Sequence, residues 1–168
     1  MAEPTPQDST EEAVLEAVAA TGQPYEVVEI DPELADTAAF CAHYGYPEDA
    51  SGNCILVASR DEPPVVAAAV VLATTKLDVN KRVRKLLGVR KLSFAPADLT
   101  REVTGMEIGG VTPFALPVDL PLYLDARIAE LDRVIVGGGS RRLKLLVAPA
   151  ALVAVGGEYI EDLALPLA

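Results

Sequence analysis

The chain has 168 residues, 51% of them hydrophobic, and sets 14 basic against 25 acidic side chains for a net charge of -11. That length closes one core burying roughly 70% of the unfolded chain's surface, and with no tryptophan and 5% aromatic residues the core is aliphatic and a poor platform for stacking bases. No apolar run is long enough to span a bilayer, no secretory leader is evident, and Cys41 and Cys54 read as small buried hydrophobes, so a cytoplasmic protein with free thiols is expected.

Residues 1–7 carry two prolines and no apolar periodicity and read as a flexible tail, with a single domain over 8–168. Ser9-x-x-Glu12 fits a capping box, opening a helix stopped at Thr21-Gly22. A strand follows over 25–30. Asp36 is placed to cap a short helix over 37–44 that ends at Gly45, and Pro47-Glu48-Asp49 turns the chain. Runs over 54–59 and 65–73, split by Arg60-Asp61-Glu62-Pro63-Pro64, predict a buried hairpin at the centre of a sheet. Asp78 caps a helix whose Val79, Val83, Leu86 and Leu87 share one stripe, leaving Lys81, Arg82, Arg84 and Lys85 off it; Gly88 stops it. A strand over 91–94 leads through Pro96 to a helix ending at Thr104, with Leu99 and Val103 inward.

The run from Thr104 to Pro117 sets Gly109-Gly110 and two prolines in an apolar stretch without alternation, which predicts a shaped loop that exposes backbone N–H groups. Strands over 122–125 and 134–136 flank a short helical stretch. Gly137-Gly138-Gly139-Ser140 then turns the chain into a strand over 143–147, and Pro149 opens a last small helix ending at Gly156-Gly157. The irregular order of strands and helices predicts an α+β fold with a mixed sheet rather than a doubly wound layer.

Several chemistries are disfavoured by the residues present. The lone His43 has no evident catalytic partner, and Cys41-x-His43 lacks the spacing of a structural zinc site. Gly137 to Ser140 lacks the G-x-x-x-x-G-K-[ST] pattern and precedes a strand, so it is either a tight interstrand turn or the lining of a pocket. Seven of the fourteen basic residues, Lys76, Lys81, Arg82, Arg84, Lys85, Arg90 and Lys91, lie within sixteen positions, and Arg141, Arg142 and Lys144 form a second group. The first group is either a solvated face or a contact for RNA phosphates.

Gly109-Gly110-Val111-Thr112-Pro113 resembles the GxxxP motif of the YbaK/EbsC-type aminoacyl-tRNA deacylases, the family that includes the prolyl-tRNA synthetase-associated editing domain. Thr104-Gly105, Leu124-Asp125-Ala126, the run from Val134 to Gly139 and Ala148-Pro149-Ala150-Ala151-Leu152 are similar to that family in the same order. The resemblance covers roughly 24–163. It implies a mixed, partly barrel-like β-sheet flanked by helices, and a trans-acting aminoacyl-tRNA deacylase that hydrolyses the ester of mischarged tRNA.

On this resemblance the backbone of Gly109, Gly110, Val111 and Thr112 would stabilise the oxyanion, and Asn53, Pro113, Asp125, Gly138 and Ser140 would line the substrate pocket. Lys81, Arg82, Arg84 and Lys85 would meet tRNA phosphates. Asp125 would orient a ribose or amino group, with a buried carboxylate bonding backbone N–H groups as the alternative. Family members carry a lysine where Asn53 stands, so either a basic residue such as Lys76 substitutes for it, or specificity has changed, or the chain is a catalytically weak or inactive member that binds aminoacyl-tRNA or an amino acid; a regulatory protein-binding domain is a further reading. The implied partners are aminoacyl-tRNA and, beyond it, an aminoacyl-tRNA synthetase or elongation factor. No cofactor, metal or membrane is expected.

Overall fold

The computed structural model describes residues 4–167. The expected N-terminal tail lies partly outside that span; within it, the Thr5 carbonyl accepts a hydrogen bond from Arg142 Nη2 at 2.6 Å. The first helix, α1, is Ser9–Ala20. Its cap is Asp8 rather than Ser9, because Ser9 is already helical: Asp8 Oδ1 accepts from the Glu11 N–H at 2.8 Å, and Glu11 Oε1 accepts from the Gln7 N–H at 2.7 Å. After β1 (Tyr25–Glu29), helix α2 (Thr37–Tyr44) ends on Gly45 in the left-handed conformation, as the glycine predicts. Asp36 precedes α2 without capping it; its carboxylate faces Arg141 at 3.4 Å.

Strands β2 (Gly52–Ser59) and β3 (Val66–Leu72) form the predicted antiparallel hairpin. They sit inside a five-stranded mixed sheet of order β5-β2-β3-β6-β9, where β5 is Leu92–Phe94, β6 is Leu122–Asp125 and β9 is Glu158–Ile160. β3 is apolar along its length because both its faces are covered. Ala68 and Val70 belong to the main core with Val14, Val18, Phe114 and Leu145, while Ala67, Ala69 and Val71 pack with Val79, Val83 and Leu163.

A second, antiparallel sheet has the order β1-β8-β7, with β7 Val134–Gly137 and β8 Leu143–Val147. A bridge between Ser51 and Ile135 joins it to the start of β2. A small pair joins β4 (Thr75–Leu77) to β10 (Ala164–Pro166). The mixed α+β arrangement is as expected, and the sheets do not close into a barrel among the described residues.

The basic segment opens as a wide π-helical turn, Val79–Val83, with Asp78 accepting from the Lys81 N–H, and tightens into α3, Arg84–Leu87. Helix α4 is Ala97–Thr104 and α5 is Pro149–Ala154. In α4 the fully buried residue is Thr100, while the expected inward residues Leu99 and Val103 are half-buried. β8 alternates its faces: Leu145 and Val147 enter the main core, whereas Leu146 packs with Phe40 and Cys41 of α2. That alternation turns Lys144 towards α2, where its Nζ stands 5.4 Å from the centre of the Phe40 ring.

Candidate active site

The start of α2, the first half of β2, the loop after α4 and strands β7 and β8 enclose a cleft of about 390 Å³. Its wall is mainly apolar, with Asp36, Thr37, Ser51, Asn53, Thr100 and Lys144 as polar side chains and the backbone of Gly109. Two glycine-rich segments make this shape possible. The Gly110 carbonyl accepts from the Gly139 N–H at 2.8 Å, so the loop and the β7–β8 turn meet backbone to backbone. A Cβ on Gly110 would stand 2.5 Å from the Ser140 carbonyl carbon, and one on Gly137 would stand 2.5 Å from the Val111 oxygen. Arg141 reinforces the junction, donating through Nη1 to the Ile108 carbonyl at 2.9 Å and through Nε to the Pro32 carbonyl at 3.1 Å.

Gly109 and Val111 lie on the cleft wall, and their N–H groups have no hydrogen-bond partner among the described residues. The Gly110 N–H is committed to the Glu107 carbonyl at 2.9 Å, which removes it from the expected set of free donors. Thr112 and Pro113 are buried but do not line the cleft, and the Thr112 hydroxyl has no hydrogen-bond partner among the described residues.

Asn53 opens onto the cleft from the start of β2, and its Oδ1 accepts a hydrogen bond from the Thr37 hydroxyl. Asp125 is elsewhere: at the end of β6 it accepts from the Arg127 N–H and Nε at 3.0 Å each and from Nη2 at 2.7 Å, and it does not line the cleft. Its carboxylate is consumed by this clamp on the following 3₁₀ turn, Ala126–Glu130. Gly138 and Ser140 likewise serve the turn rather than the cleft. Gly138 donates to the Leu143 carbonyl at 3.0 Å, and Ser140 donates to Glu11. Of the glycine triplet it is Gly137 that reaches the wall.

Glu11 is 1% exposed and is also bonded by Arg142 at 2.8 Å. Burial raises its pKa, but the donations from Ser140, the Gln7 N–H and Arg142 outweigh that and hold the carboxyl below its ordinary value. α1 and the β7–β8 turn are thereby tied together behind the cleft.

The residue that sequence reasoning missed is Lys144. It is 6% exposed, lines the cleft, and donates from Nζ to the Ala35 carbonyl at 2.7 Å and to the Gly109 carbonyl at 3.4 Å. Burial pushes its pKa down to about 8, Arg141 adds to the fall, and Asp36 and Cys41 oppose it. The signal was present in Leu143-Lys144-Leu145-Leu146-Val147, a single charge inside an apolar strand, but in sequence Lys144 reads only as one of a basic group with Arg141 and Arg142. Lys76, offered as a substitute for the family lysine, is exposed and lies in a separate groove with Lys81.

Cys54 also lines the cleft, with its thiol pushed up to about 12 by burial, which withholds the thiolate a nucleophile needs. Cys41 meets the Ser51 hydroxyl at 3.2 Å. His43 is exposed beside the Tyr44 ring and does not line the cleft. Among the described residues no group of three or more His, Cys, Asp or Glu side chains could hold a metal ion. Nor does any described helix have the length and apolarity to cross a membrane.

Of the four cations expected to meet tRNA, Lys81 and Lys85 are exposed. Arg82 and Arg84 are half-buried and spend Nε on the carbonyls of Glu161 and Asn80. None of the four lines the cleft, although Phe94 is shared by the cleft and the groove that contains Lys81.

The family model of the aminoacyl-tRNA editing domain matches residues 31–155. An uncharacterized Bacillus subtilis (strain 168) protein, YwhH, is 34% identical over 93 residues, which are 55% of this chain and 58% of that protein. EbsC of Enterococcus faecalis (strain ATCC 700802 / V583), described as a candidate Cys-tRNA(Pro)/Cys-tRNA(Cys) deacylase, is 28% identical over 99 residues, 58% of each chain. The chain therefore spans a little over half the length of these two relatives. The crystal structure of a candidate trans-editing enzyme for prolyl-tRNA synthetase superposes with a TM-score of 0.79 at 22% identity, covering 97% of this chain and 100% of that one.

Proposed function

The chain belongs to the aminoacyl-tRNA editing domain family, and on that premise we propose that it is a deacylase acting in trans, which hydrolyses the ester between a wrongly attached amino acid and tRNA in the cleft of Asn53, Gly109, Val111 and Lys144. The observation that carries this reading is the pair of unpartnered N–H groups at Gly109 and Val111 on the cleft wall. Ester hydrolysis passes through a tetrahedral oxyanion, and a preorganised backbone donor aimed at it supplies about 3 kcal/mol. The apolar wall suits a small acyl side chain, and the Asn53 amide offers a polar group to orient it. The substrate places the work in the cytoplasm, and a synthetase or elongation factor would hand over or compete for the same aminoacyl-tRNA.

The test is a panel of mischarged tRNAs incubated with the folded protein. Release of at least one amino acid well above the spontaneous rate is expected. No release from any pair ends the enzyme reading. The resemblance supports a second reading, binding without turnover: it puts Asn53 where family deacylases carry lysine, and an amide cannot supply its charge. Asn53→Lys separates the two, because a site that only binds gains activity with the lysine, whereas a working site keeps a comparable rate without it.

A further inference from the structure

Lys144 is a buried basic group on the cleft wall with no carboxylate bonded to it among the described residues. The Ala35 carbonyl at 2.7 Å and the Gly109 carbonyl at 3.4 Å are its bonded acceptors. A neutral primary amine has two N–H donors and one lone pair. Those two carbonyls match the two donors, and the lone pair is left for the cleft; an ammonium in the same place has a third N–H with no oxygen acceptor among the described residues, and the Phe40 ring, its centre 5.4 Å from Nζ, favours the charged form.

The other titratable side chains on the wall are poorer proton acceptors. Asp36 is exposed and paired with Arg141, and Cys54 keeps its proton. The charged and titratable groups facing Lys144 are Arg141, which disfavours its charge, and Asp36 and Cys41, which favour it. The Phe40 ring covers it from α2. Through Gly109, the amine touches the same loop that carries the unpartnered N–H groups.

We propose that Lys144 is the general base of this cleft, taking a proton from the hydrolytic water; the proposal rests on the deacylase reading above. As the water oxygen bonds to the acyl carbon, its proton passes to the Nζ lone pair, and the carbonyl electron pair moves onto oxygen, facing the loop donors. Collapse of the tetrahedral intermediate breaks the bond to the ribose oxygen, and the Lys144 ammonium returns the proton to that oxygen. The products are the free amino acid and tRNA with its terminal hydroxyl restored. One water is consumed, and the lysine ends as it began.

The experiment measures kcat and KM for the tRNA that the panel identifies, as a function of pH and corrected for spontaneous ester hydrolysis. The wild-type rate should rise with pH through a midpoint near 8, the value to which burial brings the amine, and level off about one unit higher. Lys144→Arg keeps a cation but cannot lose its proton, so kcat should fall about a hundredfold or more while KM stays within about threefold. Lys144→Met should behave alike. Where either variant fails to fold, Lys144→Ala with added ethylamine and weaker primary amines replaces it, and rescue that grows with amine basicity supports the base. A Lys144→Arg protein that retains the wild-type rate, a wild-type rate that does not vary with pH, or a folded Lys144→Ala protein that no amine rescues overturns the proposal alone. A wild-type chain inert towards every tRNA overturns the deacylase reading and the proposal together.

Discussion

Lys144 and Cys54 line one cleft and are both driven towards their neutral forms by burial, the lysine down to about 8 and the thiol up to about 12. Their effects on stability have opposite signs. Above pH 8 the native lysine releases its proton while the unfolded one keeps it to about 10.4, so stability rises with pH across that interval. The unfolded thiol ionises from about 8.5 while the native one does not, so stability falls from there upward. Each slope is about 1.4 kcal/mol per pH unit. Between about pH 8.5 and about 10 the two contributions should cancel, so relative to wild type Cys54→Ala should gain stability with pH and Lys144→Met should lose it. Urea unfolding of the three proteins at several pH values tests this, and parallel curves would show that the lysine is not held near its neutral form.

At the scale of elements, the cleft exists because the loop after α4 and the β7–β8 turn come together where neither carries a side chain. Gly110→Ala sets a Cβ against the Ser140 backbone and should cost at least about 2 kcal/mol and open the cleft wall. Gly156→Ala is the control: its glycine has a positive φ but open space around it, so only the left-handed strain of about 1 kcal/mol should appear. Equal losses in thermal unfolding would mean that the junction can spread without cost. The sequence showed both glycine runs but not their meeting, which is a tertiary fact between segments about thirty positions apart. α2 and the β2–β3 hairpin were legible because Gly45 and the Pro63-Pro64 turn punctuate them and their apolar runs are long. Three residues are too few for a period of two to be seen, so β4, β9 and β10 were not legible, whereas the equally short β5 was, because Gly88 and Pro96 punctuate it on either side. The site was legible in part for the same reason: the loop announces itself by its backbone residues, whereas Asp125 and Ser140 owe their roles to Arg127 and Glu11, which no motif predicts.

For the whole molecule the electrostatic question is how a chain of net charge -11 approaches a polyanion. The structure divides its basic stretch into two kinds of cation. Arg82 holds the segment to the body through the Glu161 carbonyl and Arg84 bonds the Asn80 carbonyl one turn back within it, whereas Lys81 and Lys85 stand in solvent, with Lys76 and Lys81 in a groove of about 690 Å³ that shares Phe94 with the cleft. Phosphate binding draws its affinity from counterion release, so each cation that meets a phosphate adds roughly 0.7 to 0.9 to the magnitude of the slope of log affinity against log salt. Replacing Lys81 and Lys85 together by glutamate should therefore flatten the slope for tRNA by about 1.4 to 1.8 without moving the melting temperature. Arg82→Ala should do the reverse, lowering the melting temperature with a slope change of at most about 1. Titrating tRNA at several salt concentrations reads both, and a slope untouched by the double lysine replacement would place the tRNA on another face.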